Sequence, residues 1–201
     1  MPNGADLKRF RGVTEEAKNE VLERLGWKGS WVIGYIGYLG PWVDVSFMVG
    51  VFREIKKKIS EAALLFVGSG PDIEKYRLSY SDKDIIFLGS VPPENIEKYF
   101  CACDVGVLPN TKSLFQDMAF HIKIIEFAAS RKPVISSDLE EVKRMGISCV
   151  TALPLKEALW TEALKRAKAM TWDPALDNTL DKYDWRAICG RLARLAENNG
   201  A

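Results

Sequence analysis

The 201-residue chain is predicted to fold as a three-layer α/β/α domain on a parallel sheet of the Rossmann-like, mononucleotide-binding kind. Three observations carry this. Short, uniformly apolar runs alternate with helix-length amphipathic segments over most of the chain. Glycine or proline stands directly behind four of those runs, at Gly37, Gly68, Gly89 and Pro109. The runs do not alternate polar with apolar, as strands buried on both faces by covering helices should not.

The elements follow in order. Thr14 to Leu25 has helical spacing and Gly26 ends it. Trp31 to Ile36 is the first strand, placed directly before glycines. Phe47 to Ile59 repeats Met48, Phe52, Ile55 and Ile59 at helical spacing and carries Lys56, Lys57 and Lys58 in its last turn, where a helix dipole favours cations. ALLFVG is the second strand, and Pro71 in GSGPDIEKY opens the next helix. Asp84 to Leu88 is the third strand; a helix begun by Pro92 or Pro93 turns Ile96, Tyr99 and Phe100 inward. Asp104 to Leu108 is the fourth, followed by the polar loop PNTKSLFQD, a helix from Ala119 to Ser130, and a fifth strand in KPVISS. Beyond these, Glu140 to Met145 reads as a short helix and Ser148 to Ala152 as a sixth strand. Helices over Lys156 to Met170 and Trp185 to Glu197 flank the linker WDPALDNTLDKYD, with Trp185 expected to pack the last helix onto the core. Crossovers of this kind are right-handed, so the ligand crevice is expected beyond the carboxyl ends of the strands.

Composition narrows the function. The length suffices for a two-sided core, and 28 basic against 27 acidic residues give a net charge of +1, with no pull toward nucleic acid or anionic lipid. No signal peptide is visible, and the apolar stretches are broken before membrane-spanning length. Cys101, Cys103, Cys149 and Cys189 have no metal-ligand spacing and read as buried or half-buried thiols of a reducing compartment, hence a cytoplasmic protein. His121 is the only histidine and no HxH or HExxH occurs, so no metal site is expected.

Gly34, Gly37 and Gly40 recur at every third residue, without the full GxGxxG fingerprint or a P-loop. Glycines behind a strand serve either a tight turn or an anion approaching backbone N–H groups. Glu126 reads either as a solvated helix residue or as an acceptor for both hydroxyls of a ribose, with Lys123 and Ser130 on its face. His121 is a phosphate donor or a capping residue.

In this order and spacing the segments resemble the C-terminal, donor-binding half of GT-B glycosyltransferases, in the large retaining family 4. Pro2-Asn3-Gly4-Ala5-Asp6 through Phe10 is similar to PNGVDxxxF, which leads into that domain from the interdomain linker. WVIGYIGYLGP and LLFVGSGP are similar to its first two strand-loop units, IIFLGSVPPENIEKYFCACDVGVLPN to FLGxVxxxxxxxxYxxADVxVLPS, and KIIEFAASRKPVISSD to KxxEAMAxGxPVVxxD. The likeness covers nearly the whole chain. It implies one nucleotide-sugar-binding domain over 1–201, with 1–13 arriving from the linker and 171–201 as a C-terminal helical extension.

By position, the resemblance places Gly37 against the donor diphosphate and counts Tyr38, Gly68 and Gly70 among the donor-binding residues. It places Gly89 and Val91 beside the base, Pro109 and Asn110 in the crevice, Ile125 beside the ribose and Glu126 on it. It also implies a UDP-, GDP- or ADP-linked hexosyl donor, no metal, retention without a side-chain nucleophile, and an acceptor domain outside this chain. The acceptor domain, or a partner subunit, would carry any peripheral membrane association, and the chain alone would transfer nothing.

Two departures stand out. Met118 occupies the position of the first acid of E-x7-E, while Lys123 matches the lysine of relatives that also lack it. Tyr38 and Val43 stand where GRLxxxKG places its phosphate-binding arginine and lysine. A departing nucleoside diphosphate gains negative charge, so a substitute cation is needed. Lys112, His121 and Lys123 are the candidates in the right loop, with Lys123, His121 and Glu126 as the expected catalytic residues. Two other readings remain: a degenerate domain of this fold acting as partner or scaffold, and half of a nucleotide-sugar epimerase or a regulator-like module.

Overall fold

Six strands run through the centre of the computed structural model, which describes residues 3–198. They are β1 (Trp31–Ile36), β2 (Ala62–Val67), β3 (Ile85–Gly89), β4 (Val105–Leu108), β5 (Val134–Ser137) and β6 (Val150–Leu153), ordered β3-β2-β1-β4-β5-β6. Every pairing is parallel. The chain builds outward from β1 to β3, then returns to the other side of β1 with β4. The strand order thus reverses at β1, so the loops behind β1 and β4 flank the switch point at which ligands of such sheets bind.

The helices are α1 (Leu7–Arg11), α2 (Glu15–Arg24), α3 (Val45–Lys56), α4 (Ile73–Tyr80), α5 (Ile96–Ala102), α6 (Leu114–Met118), α7 (Ile122–Ala129), α8 (Glu140–Met145), α9 (Glu157–Lys168), α10 (Ala175–Leu180) and α11 (Trp185–Asn198). Period-two geometry sends Val32 and Ile36 to one face of β1 and Ile33 and Tyr35 to the other. The first face forms a core with α1, α2, α5, α7, α8 and α10, through Phe10, Leu22, Phe100, Phe127, Val142 and Leu180 among others. The second packs against α3 and α9 through Met48, Phe52, Ile55, Trp160 and Leu164. All six positions of β1 are buried, as its unbroken apolar run requires.

Several boundaries differ from those expected. α3 starts at Val45, two residues before Phe47, because the Asp44 side chain accepts from the Phe47 amide at 2.9 Å and caps the helix. It closes at Lys56, and Lys58 and Ile59 both donate to the Ile55 carbonyl in a final turn. The polar loop 109–117 contains the start of α6, capped by Ser113, and the expected helix from Ala119 begins only after His121. The linker 172–184 contains α10 and a 3₁₀ turn over Asp181–Tyr183, with Leu176, Leu180 and Tyr183 buried. Trp185 is 42% exposed, so the expected packing role passes to Ile188, which is buried. Cys101, Cys103 and Cys149 are buried free thiols and Cys189 an exposed one. Pro2 of the opening motif, and the last three residues of the expected extension, lie outside the described residues.

Candidate functional site

The three strand-end glycines all have left-handed backbone: φ is +140° at Gly37, +136° at Gly68 and +91° at Gly89. Glycine is the residue that adopts such turns without strain. The amides of Gly37 and Gly68 are not the free anion donors the sequence suggests. Gly37 N–H donates to the Val67 carbonyl at 2.8 Å, Gly68 N–H to the Gly89 carbonyl at 2.8 Å, and Leu39 N–H to the Ser69 carbonyl at 2.7 Å. These bonds tie the turns behind β1, β2 and β3 into one shelf. A Cβ at Gly68 would strike the Gly37 carbonyl, and one at Gly70 the Leu39 carbonyl, so both glycines support the shelf from below.

Lys123 fills the space that Gly37 leaves. A Cβ at Gly37 would lie 2.5 Å from the Lys123 Nζ. That ammonium donates to the Tyr35 hydroxyl at 3.0 Å and lies 4.5 Å from the centroid of the Tyr35 ring. The hydroxyl in turn donates to the Tyr38 carbonyl at 2.8 Å. Burial disfavours the charged amine and lowers the Lys123 pKa to about 8, partly offset by the Glu126 carboxylate. Glu126 is half-buried one turn further along α7. Burial raises its pKa, opposed by the charges of Lys123 and of Arg9 from α1. A cation at the β1 turn and a carboxylate three residues on thus stand on one face of α7.

The other expected residues fall into distinct places. His121 is buried, and its Nε2 donates to the Gln116 carbonyl at 3.0 Å. Burial lowers its pKa, so it is a neutral strut of the α6–α7 corner. Asn110 is buried as well; its Nδ2 donates to the Gln116 Oε1 at 2.8 Å, and its carbonyl accepts from the Ser137 hydroxyl at 2.6 Å. The Pro109 carbonyl accepts from the Asp44 amide at 2.9 Å and the Trp42 carbonyl from the Thr111 amide at 2.7 Å, which pins the β1 and β4 loops together across the crevice. Lys112 points away, to Glu140 at 3.2 Å, and that hydrogen bond raises its pKa. Of the three candidate cations, the structure brings Lys123 alone to the glycine shelf.

Ile125 is fully buried in the first core, so its side chain supports α7 from behind. Val91 is half-buried against the same core, and Gly89 leaves room for the Arg77 guanidinium. Val43 is buried in an antiparallel bridge with Asn110, whereas Tyr38 and Met118 are exposed. Tyr38, Trp42 and Phe115 follow one another at ring separations of 6.0 and 6.2 Å along the crevice lip. Sequence reasoning missed Tyr35 and Gln116. A tyrosine inside an aliphatic strand was the available signal for the first, since a buried phenol seeks a partner. Nothing local marked the second.

Among the described residues no group of three or more His, Cys, Asp or Glu side chains is placed to hold a metal ion, and no helix is long and apolar enough to cross a membrane.

Comparison with known proteins agrees with this architecture. A candidate teichuronic acid biosynthesis glycosyltransferase of Bacillus subtilis, TuaH, is 27% identical over 154 residues, 72% of this chain and 35% of its own length. Anabaena HepE, solved in complex with UDP, superposes with a TM-score of 0.76 at 15% identity, over 97% of this chain and 56% of that one. The C-terminal domain of a glycosyl transferase group 1 protein of Francisella tularensis, LpcC, superposes with a TM-score of 0.62 at 16% identity, over 94% of this chain and 98% of that domain. The chain thus spans about a third of TuaH and about half of HepE. The glycosyl transferases group 1 profile matches residues 30–167, from the residue before β1 to the end of α9, and the chain therefore belongs to that family.

Proposed function

We propose that this chain is the C-terminal, donor-binding domain of a GT-B glycosyltransferase that transfers a hexosyl group with retention from a nucleoside diphosphate sugar. The observation that carries the reading is the pairing on α7: the half-buried Lys123 ammonium at the Gly37 turn and, one turn on, the half-buried Glu126 carboxylate. In this reading Glu126 accepts both ribose hydroxyls, Lys123 meets the diphosphate, and Gly89 and Val91 flank the base. Superposition on a UDP-bound fold and on an isolated C-terminal domain supports it.

When the bond between the sugar and the diphosphate breaks, its electron pair leaves with the diphosphate. A preorganised cation lowers that barrier most where water is excluded, so Lys123 takes the role that arginine and lysine at positions 38 and 43 would share. No metal enters this scheme. The acceptor requires residues beyond this chain, from a further domain or a partner subunit, and a cytoplasmic setting suits the free thiols. A titration panel of UDP, GDP and ADP and their hexose conjugates tests the proposal. One nucleotide is expected to bind, and Glu126→Ala to weaken it by about 10-fold, the loss of a bidentate charged acceptor. Failure to bind any of them overturns the reading. One observation favours a non-catalytic scaffold instead, the buried Val43 at a cation position; sugar transfer after an acceptor domain is supplied would eliminate it.

A further inference from the structure

Tyr35 and Lys123 come from opposite layers of the fold. Tyr35 packs in the core between the sheet and α3, while α7 belongs to the layer on the other face. They meet only at the carboxyl end of β1, where the ammonium donates to the hydroxyl at 3.0 Å and the hydroxyl donates to the Tyr38 carbonyl at 2.8 Å. The phenol therefore spends its one proton on the loop and offers a lone pair to the lysine. A phenol oriented this way can receive an ammonium but has no second proton to give a neutral amine. The ring adds an attractive cation–π contact from below.

We propose that Tyr35 is a positioning residue for the donor diphosphate. It fixes the Lys123 ammonium at the Gly37 turn and couples it to the Tyr38 carbonyl, so that the loop and the cation keep one arrangement. The assignment rests on the donor-site reading above and deepens it. Three features make the phenol the holder rather than a packing residue. Its ring is fully buried but its hydroxyl reaches the strand end. The glycine at position 37 is the space the lysine head occupies. The remaining ionisable neighbours do not hold the ammonium by hydrogen bonds: Glu126 acts on it through charge, and His121 is committed to the Gln116 carbonyl. A flexible lysine so restrained loses less rotamer freedom when a phosphate arrives.

The test is nucleotide titration of the full chain as wild type, Tyr35→Phe, Lys123→Met and the double variant, using UDP (or whichever diphosphate the panel selects) and its nucleoside, between pH 6 and about 10. Tyr35→Phe should weaken the diphosphate by about 10-fold and leave the nucleoside unchanged. Removing the lone pair makes the ammonium easier to deprotonate, so the pH at which diphosphate affinity falls should move below the wild-type midpoint. In the Lys123→Met background the Tyr35→Phe effect should vanish, because no head group remains to be held. Equal losses for nucleoside and diphosphate, an unmoved midpoint, or additive losses in the double variant overturn the assignment while leaving the donor site intact. A wild type that binds the nucleoside but not its diphosphate overturns it too. A wild type that binds neither brings down the donor-site reading and this assignment together.

Discussion

Lys123 shows how a single half-buried side chain trades stability for a site. Its pKa of about 8 lies below the value of a free lysine, so between roughly pH 8 and 10.5 the unfolded chain holds a proton that the folded chain has released. Stability should rise with pH across that window and carry a constant penalty below it. Lys123→Met removes the penalty; it also leaves the Tyr35 hydroxyl its bond to the Tyr38 carbonyl. The expected result at pH 7 is a fold more stable by about 1–2 kcal/mol, less than the full shift because Glu126 loses a compensating charge. Urea unfolding at pH 7 and pH 10 measures it, and the gain should shrink at the higher pH. The same variant should lose diphosphate affinity. A lysine that served only packing would show the same pH dependence, which burial alone produces, but not the loss of affinity.

Among the elements, the strands were the most legible from sequence and the β4–α7 connection the least. β1 runs over Trp31–Ile36 as its apolar run indicated, since a twice-buried strand is recorded in every residue. The connection holds α6 because Ser113 caps it and because the Asn110 amide and His121 ring bind Gln116, contacts a polar composition does not reveal. Gln116→Ala should therefore cost about 1–3 kcal/mol by stranding the Asn110 amide and loosen α6, while the backbone carbonyl that His121 holds remains. Hydrogen exchange should report that loosening as faster amides in α6 while β1 stays protected. β4 and α7 meet just as closely elsewhere: a Cβ at Gly106 would lie 2.5 Å from the Phe127 ring. Gly106→Ala is expected to destabilise the fold by about 1–3 kcal/mol in urea unfolding, because ring and strand are both fixed by the core.

For the molecule as a whole, the two cores behave as one body because the sheet is shared. The C-terminal segment belongs to it: Leu176, Leu180 and Tyr183 sit in the same core as Phe10 and Phe127. The Ala5 amide donates to the Tyr183 carbonyl at 2.9 Å, so the segments around these two residues close over one face. Leu180→Ala should cost about 2–5 kcal/mol, and unfolding followed by tryptophan fluorescence and by circular dichroism should still coincide. Two non-coincident transitions would mean that the extension folds as a separate unit. The sequence marked this region as a linker between helices, and WDPALDNTLDKYD carries four Asp and one Pro; yet its buried Leu176, Leu180 and Tyr183 stand at i, i+4 and i+7, one short helical face.

What the sequence determined by itself is the parallel sheet and the position of each strand. Those follow from local patterning: apolar runs, caps and the glycines that left-handed turns demand. The tertiary structure alone decided what the glycines are for. The amides of Gly37 and Gly68 are spent on neighbouring strand ends, and the space at Gly37 holds an ammonium delivered by a residue 88 positions from the tyrosine that binds it. It likewise chose Lys123 over Lys112 and His121, and turned the histidine into a strut. Local pattern encodes burial and backbone conformation, whereas the partner of a hydroxyl or an ammonium is set by which distant segments the sheet order brings together.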